Sequence, residues 1–434
     1  MKNQVPEYFR KTSVYQVNVR MFSPEGTLKA VTDQLPLIAE LGFGIVYLCP
    51  IFEEDPSTDR KNWSKRQLAS KTENPKNPYR VGDYFEIDSE YGTMQDLREL
   101  VNRAHSLGMR VFLDLVYFHT GPNARALKAH PEFAKRNADG SVMLGEWNFP
   151  VFDFDNPALR EYLYCNMVYY VGHVDVDGFR CDASDFVPLD FWEEGKRRIR
   201  QIKPDAVLIN EGGKAEYLRV FDCNYGGNWM IMFHEFLHGR LDAAGMAEKH
   251  TQVAEKLPEG SLLLRCLDNH DTVTDWPSRV EKLFGNHCMD LVQVFNFLID
   301  GVPMVFGGNE LADTASLSLF ANRFHPGTFG ATDRNASSEA IDRRQALLKK
   351  LHEFKKQFPA LYAGKTEWLP FENPRVLAFS RTCQEESIVV VGNFSEQETL
   401  VNLDAGGEIL LTNLTTAVPE GYRLAPYGYI IIRR

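Results

Sequence analysis

Four carboxylates stand where apolar runs of this chain end. Asp114 closes RVFLD (110–114), Asp182 closes VDGFRCD (176–182), Glu211 closes AVLINE (206–211) and Asp271 closes LDNHD (267–271). Arg180 lies two residues ahead of Asp182, and side chains two apart on a strand share a face. A cation beside a carboxylate favours its charged form and lowers its pKa, which suits Asp182 to nucleophilic attack. Glu211 differs, because an apolar run precedes it and Gly212 and Gly213 follow it. A partly desolvated glutamate keeps a proton to give away. Asp271 adjoins His270, a neutral donor for a hydroxyl, while its own charge faces a developing positive centre. Asp114 reads more simply as an anchor for Arg180. An ionised acid, a protonated acid and a further carboxylate are what glycosidic cleavage through an oxocarbenium-like state requires. Any one of these acids alone reads as well as a helix N-cap or a surface ion pair. Four in order at four strand ends do not.

The elements that must position them alternate. VYQVNVR (14–20), IVYLCP (45–50), RVFLDLV (110–116), VDGFRCD (176–182), AVLINE (206–211), the run from 263 and VPMVFGGNE (302–310) are strand-like. Amphipathic stretches near 27–41, 157–171 and 189–202 separate them, and Thr93 with Asp96 opens another as a capping box. Seven strands are clear, and the weak run 220–224 supplies an eighth. The alternation predicts a parallel sheet: a (β/α)8 barrel, or a doubly wound open sheet as the alternative. A barrel brings the strand ends, and so the acids, to one face. Beyond Tyr362 the helical period stops, and short strand-like runs with turn residues predict a small antiparallel β domain. The loops 52–92 and 119–155 are long enough to expect a functional use.

Composition bounds the partners. With 434 residues the chain has room for one large domain and a small one, and its net charge of −11 argues against nucleic acid or an anionic membrane surface. The start, MKNQVPEYFRKTSVYQV, has no apolar core behind a basic segment, and no stretch approaches a membrane span. Seven scattered cysteines do not form a disulfide framework, so a reducing cytoplasm is expected, with Cys181 a core thiol. No HExxH-type spacing, Walker loop or GxGxxG fingerprint appears where it would matter, and no cofactor is expected. Aromatics, at 12%, fill a core or stack on a ligand.

In order and spacing these motifs resemble the α-amylase family of glycoside hydrolases over nearly the whole chain. DLVYFH (114–119), GFRCD (178–182), the acid ending LINE (211) and LDNHD (267–271) match the family's four conserved regions. NPYRVGDY (77–84) is similar to the segment that puts an aromatic, here Tyr79, under the reacting sugar. The resemblance implies a catalytic barrel over 1–118 and 156–358, a short insert after the third strand over 119–155, and a C-terminal β-sandwich over 359–434.

It also implies roles. Asp182 attacks the anomeric carbon, Glu211 protonates the leaving oxygen and then activates the acceptor, and Asp271 grips hydroxyls of the distorted ring. Arg180 orients Asp182, with Asp114 behind it, and His119 and His270 bind hydroxyls. The implied substrate is an α-1,4-linked malto-oligosaccharide or starch-type glucan, with Ala183 after the nucleophile pointing to α-1,4 bonds. A 4-α-glucanotransferase uses the same acids, sucrose or trehalose chemistry lies in the same superfamily, and an inactive binding relative would have lost an acid.

Two departures and one loop matter. Phe118 stands where the family has a calcium-binding asparagine, and an aromatic ring offers a hard cation no oxygen, so no metal site is expected there. Asp185 and Phe186 replace a lysine–histidine pair beyond the nucleophile. The loop EEDPSTDRKNWSKRQ (53–67) is either a solvated charged loop or a cover whose Trp63 stacks on sugar, as Trp147 and Trp276 could from their own loops.

Overall fold

The computed structural model describes residues 5–275, 279–315, 318–320, 336–403 and 406–434. Eight parallel strands close a barrel: β1 (Val14–Val17), β2 (Ile45–Leu48), β3 (Arg110–Val116), β4 (Gly178–Asp182), β5 (Val207–Asn210), β6 (Cys223–Tyr225), β7 (Leu263–Arg265) and β8 (Val302–Phe306). Each strand pairs with its sequence neighbours, and β1 pairs with both β2 and β8, which excludes the open sheet. The weak run became β6, only three residues long, yet it pairs with both β5 and β7 and completes the ring.

Apolar runs without polar alternation form these strands because both faces are covered. Phe179 and Leu208 face the surrounding helices, while Val14, Ile45, Phe112, Val207, Ile209, Cys223 and Leu264 fill the barrel's interior. The period of two carries that interior column upward to polar residues. Val14 leads to Gln16, Ile45 to Tyr47, Phe112 to Asp114, Gly178 to Arg180 and Asp182, and Ile209 to Glu211. The candidate site is thus the top layer of the barrel's own filling. Register sets neighbours too, with Asp114 opposite Arg180 and Val116 opposite Asp182.

The helices start where the sequence caps them. Thr27 caps Leu28–Glu40, Thr93 and Asp96 form the capping box of Met94–Ser106, and Asn156 caps Pro157–Tyr169. Among the described residues no helix is long and apolar enough to cross a membrane. All seven cysteines are unpaired, and Cys181 is fully buried.

The C-terminal region is an antiparallel sheet of six strands: β9 (Lys365–Trp368), β10 (Val376–Cys383), β11 (Glu386–Asn393), β12 (Thr399–Val401), β13 (Glu408–Val418) and β14 (Gly421–Arg433). β14 pairs with β12 through Leu424 and with β11 from Tyr429, so the sheet wraps around a core of its own that includes Val376, Val391, Val401, Leu424 and Ile430. Its other face packs on the barrel helix Asn286–Leu298, where the rings of Phe295 and Phe379 lie 5.4 Å apart. The helix comes so close that a Cβ on Gly392 would meet Leu291 at 2.6 Å.

Candidate active site

Arg180 is the hub of the cleft. Fully buried, it donates from Nη1 to Asp114 at 2.6 Å and to Asp182 at 2.8 Å, and from Nη2 to Glu211. Ala183, held at φ +46° just past Asp182, donates its N–H to the other Glu211 oxygen at 2.6 Å. A non-glycine residue in that left-handed region is strained, and such strain belongs where a backbone group must be aimed.

One guanidinium therefore serves three carboxylates. Burial, then the neighbouring Glu211 charge, pushes Asp182 well above the usual carboxylate range, against the pull of Arg180. The expected lowering of the Asp182 pKa is thus overturned: the arginine's charge is shared, and desolvation outweighs its share. Glu211 is also raised, burial again leading and Arg180 opposing. Mutual repulsion between two close acids at this depth favours one shared proton over two charges. Asp271 goes the other way. Burial opposes its ionisation, but His270, Arg66 and Arg180 together hold its pKa below the ordinary value.

The aromatic and imidazole groups form a chain with assignable protons. Tyr47 donates to Asp114 at 2.6 Å, and Tyr79 donates to the same Asp114 oxygen at 3.0 Å. The Tyr79 oxygen, its proton spent, accepts from His270 Nε2 at 2.7 Å. His270 Nδ1 then accepts from the Gln16 amide at 2.8 Å, while the Gln16 carbonyl takes the His270 backbone N–H. The Tyr79 ring stacks on His270 with centroids 5.4 Å apart. His119 donates from Nε2 to the Tyr79 carbonyl at 3.0 Å, so its Nδ1 carries the lone pair. That atom is buried without a partner among the described residues, and desolvation lowers the ring's pKa to about 4, so it stays a neutral acceptor.

The acids, histidines, Tyr79 and Arg180 singled out from sequence are therefore in one place. Tyr79, His119, Asp182, Glu211, His270 and Asp271 line a single cleft, with Arg180 and Asp114 beneath them. Of the tryptophans, Trp147 lines the cleft, beside His119. Trp63 does not: only 3% exposed, it packs inside its loop under Arg60, and its stacking role is overturned. Trp276 lies outside the described residues.

Sequence reasoning missed three contributors and the part played by a fourth. Gln16 and Tyr47 are the top interior residues of β1 and β2, a signal readable only once the barrel parity is known. Arg66 pairs with Asp271 at 2.9 Å and Asp275 at 3.0 Å. Asp185 accepts the backbone N–H groups of Gly213 and Lys214 at 2.9 and 3.1 Å and the Asn210 amide at 3.1 Å, bracing the turn after Glu211. A Cβ on Gly212 would fall 1.9 Å from the Asp185 carboxyl, which is why glycine follows the acid. Phe186, 61% exposed, tilts against Phe118 at 5.0 Å, and Phe118 in turn meets Trp147. At the position of the family's calcium ligand the chain thus has a ring packed on rings. Nor is there a cluster of three or more acidic, histidine or cysteine side chains suited to a metal among the described residues. The residues do not fit that cation.

Comparison with known proteins agrees with this geometry. The family described as "Alpha amylase, catalytic domain" matches residues 5–139, and "Maltogenic Amylase, C-terminal domain" matches 366–431. The chain is 24% identical to the alpha-amylase MalA of Haloarcula japonica, over 96% of this chain and 60% of that protein. It is 24% identical to a cyclomaltodextrinase of Geobacillus thermopakistaniensis, over 94% of this chain and 70% of the relative, so it spans under three-quarters of either. Among solved structures, an alpha-amylase from Lactobacillus plantarum shares the fold with a TM-score of 0.83 at 24% identity, covering 98% of this chain and 99% of that one.

Proposed function

We propose that this chain, which belongs to the α-amylase family of glycoside hydrolases, is a retaining hydrolase of α-1,4-glucosidic bonds in malto-oligosaccharides. The observation that carries the reading is the shared guanidinium. Asp182 and Glu211 accept from the two terminal nitrogens of one guanidinium, which draws the two carboxyls together. That favours the carboxyl spacing of roughly 5–5.5 Å used in double displacement over the roughly 6.5–9.5 Å that leaves room for an attacking water.

In the proposed mechanism the sugar ring lies on Tyr79, with hydroxyls toward His119 Nδ1 and Asp271. Entry of the glycosidic oxygen draws Glu211 off Arg180 and Ala183, and the proton shared by the two acids moves to Glu211. Asp182, now charged and still held by Arg180, attacks the anomeric carbon as Glu211 protonates the leaving oxygen. Asp271, already ionised, faces the positive charge that develops on the ring. Glu211 then takes a proton from water, which attacks the glycosyl–Asp182 bond and restores both acids.

The test is a time course on maltoheptaose with wild type and Asp182→Asn side by side, following product sizes and the anomer first released. Shorter products appearing as the α-anomer, with the variant slowed by on the order of 10⁴ or more, are expected. Products longer than the substrate would convert the reading to a 4-α-glucanotransferase. Equal inertness of both proteins would end the α-1,4-glucan assignment.

A further inference from the structure

We infer that the donor side of the cleft is blind and takes a single sugar ring, so that the enzyme attacks linear glucans from the non-reducing end. The inference rests on the α-glucan reading above and specifies which end of that substrate the site accepts.

Glu211 stands at the end of β5, and around the ring β5 lies across from β1 and β2. Among the described residues, the rim on that opposite side carries a wall. Its centre is the loop after β2, folded about Arg80. This fully buried guanidinium donates to the carbonyls of Asn62 and Asp55 at 3.1 Å each and of Ser57 and Pro75 at 2.8 Å each. Four carbonyls gathered on one buried cation make the loop a fixed body. Trp63 fills its interior.

The wall is fastened at both ends. Toward β3, Asn148 of the insert donates from its amide to the Lys61 carbonyl at 2.6 Å and the Trp63 carbonyl at 3.3 Å. Toward β7, Arg66 pairs with Asp271 and Asp275. Toward β8, Thr72 donates to the Phe320 carbonyl at 2.6 Å, and Leu319 N–H reaches Thr274 at 3.1 Å. Ser64, Arg66, Leu319 and Phe320 all face the cleft.

Direction follows from the chemistry. The acid that protonates the leaving oxygen must lie beside the leaving chain, so the leaving chain passes Glu211. The donor sugar extends the other way, into the wall. The cleft bounded by this wall on one side and by Asp182 and Glu211 on the other has a volume of about 150 Å³, on the scale of one sugar ring. A further unit on that ring's 4-oxygen would have to pass the Asn148 clasp. Each turnover would then consume one water and one glycosidic bond, releasing glucose and a chain one unit shorter.

The experiment compares three substrates of one size: maltoheptaose, maltoheptaose with its non-reducing 4- and 6-hydroxyls tied in an ethylidene group, and cyclomaltoheptaose, which has no end. Glucose and maltohexaose in equal first amounts are expected from the free chain. The blocked chain and the ring should react at least about 100-fold more slowly, the scale on which a site rejects a substrate it cannot seat. Mid-chain products, with the blocked chain or the ring cut within about threefold of the free chain, overturn the blind pocket while leaving the α-glucan reading intact. Inertness of all three overturns both. As a second variant, Asn148→Ala removes the clasp without touching a catalytic acid and should speed cleavage of the blocked chain at least about tenfold. No gain there, with the free chain still cut, overturns the wall as the cause.

Discussion

Arg180→Lys keeps the central charge and removes the fork that distributes it. Arginine Nη1 bridges Asp114 and Asp182 while Nη2 holds Glu211. A lysine ammonium is one point on a shorter reach; seated between Asp114 and Asp182, it leaves Glu211 only the Ala183 N–H. A hydrogen bond to a charged group contributes about 1.5–3 kcal/mol, a factor of about 10 to 100, so its loss pushes the titration of the acid pair upward. The sign is fixed. In the proposed mechanism the pair works with one proton: below its first pKa the nucleophile is protonated, and above its second the acid has lost its proton. A lost donor to the charged forms makes both protons harder to remove, so both limbs of the kcat/KM profile move to higher pH. On the acid side of the wild-type optimum the variant should lose about 10- to 100-fold, and on the alkaline side much less. Measuring kcat/KM on maltoheptaose from about pH 4 to 9 reads this directly. A loss of equal size at every pH, with both limbs in place, would refute the shared-proton account and leave Arg180 a structural residue.

Gly212→Ala should drive its methyl into the Asp185 carboxyl, 1.9 Å away, and so displace the turn that carries Glu211. We expect kcat to fall by about 10-fold or more with KM and Tm little changed, since a misplacement near 1 Å at a reacting group costs on that scale; unchanged kcat would refute it. Arg344→Met should act on stability instead. Fully buried, Arg344 holds Glu281 and Asp290, and removing one partner of such a cluster costs about 3–5 kcal/mol. A drop in Tm of several degrees, with kcat preserved below the transition, is expected, and an unshifted Tm would refute the cluster's structural role.

The barrel was legible because a parallel sheet covered on both faces leaves long apolar runs, and because those runs end in acids. The hub was legible for the same reason: Arg180 and Asp182 are two apart on one strand. What escaped lies where side chains meet across the barrel rather than along the chain. Gln16 and His270 touch although 254 residues separate them. Arg66 looked like one charge among many in a polar loop, and nothing local says that it reaches Asp271. Trp63 failed as a sugar platform for a physical reason. A large apolar ring in a loop that must itself stay rigid is worth more inside the loop than on its surface. The direction of the Asp182 shift escaped because a sequence shows which cation is near but not how many acids share it.

In this structure nearly every group that a sugar would use already has a protein partner. Tyr79 is spent on Asp114 and His270, Asp271 on Arg66, and both Glu211 oxygens on Arg180 and Ala183. Ground-state binding is therefore an exchange of hydrogen bonds, worth about 0.5–1.5 kcal/mol apiece rather than their gross strength. His119 Nδ1, buried and unpartnered among the described residues, gains a bond without giving one up. The interactions that grow along the reaction are different ones. In the proposed mechanism Asp182 and Asp271 meet a positive charge that the bound sugar does not carry, and desolvation on binding strengthens that attraction. A cleft that satisfies its own polar groups at rest and leaves its acids unbalanced spends little on holding the substrate and more on stabilising the oxocarbenium-like state.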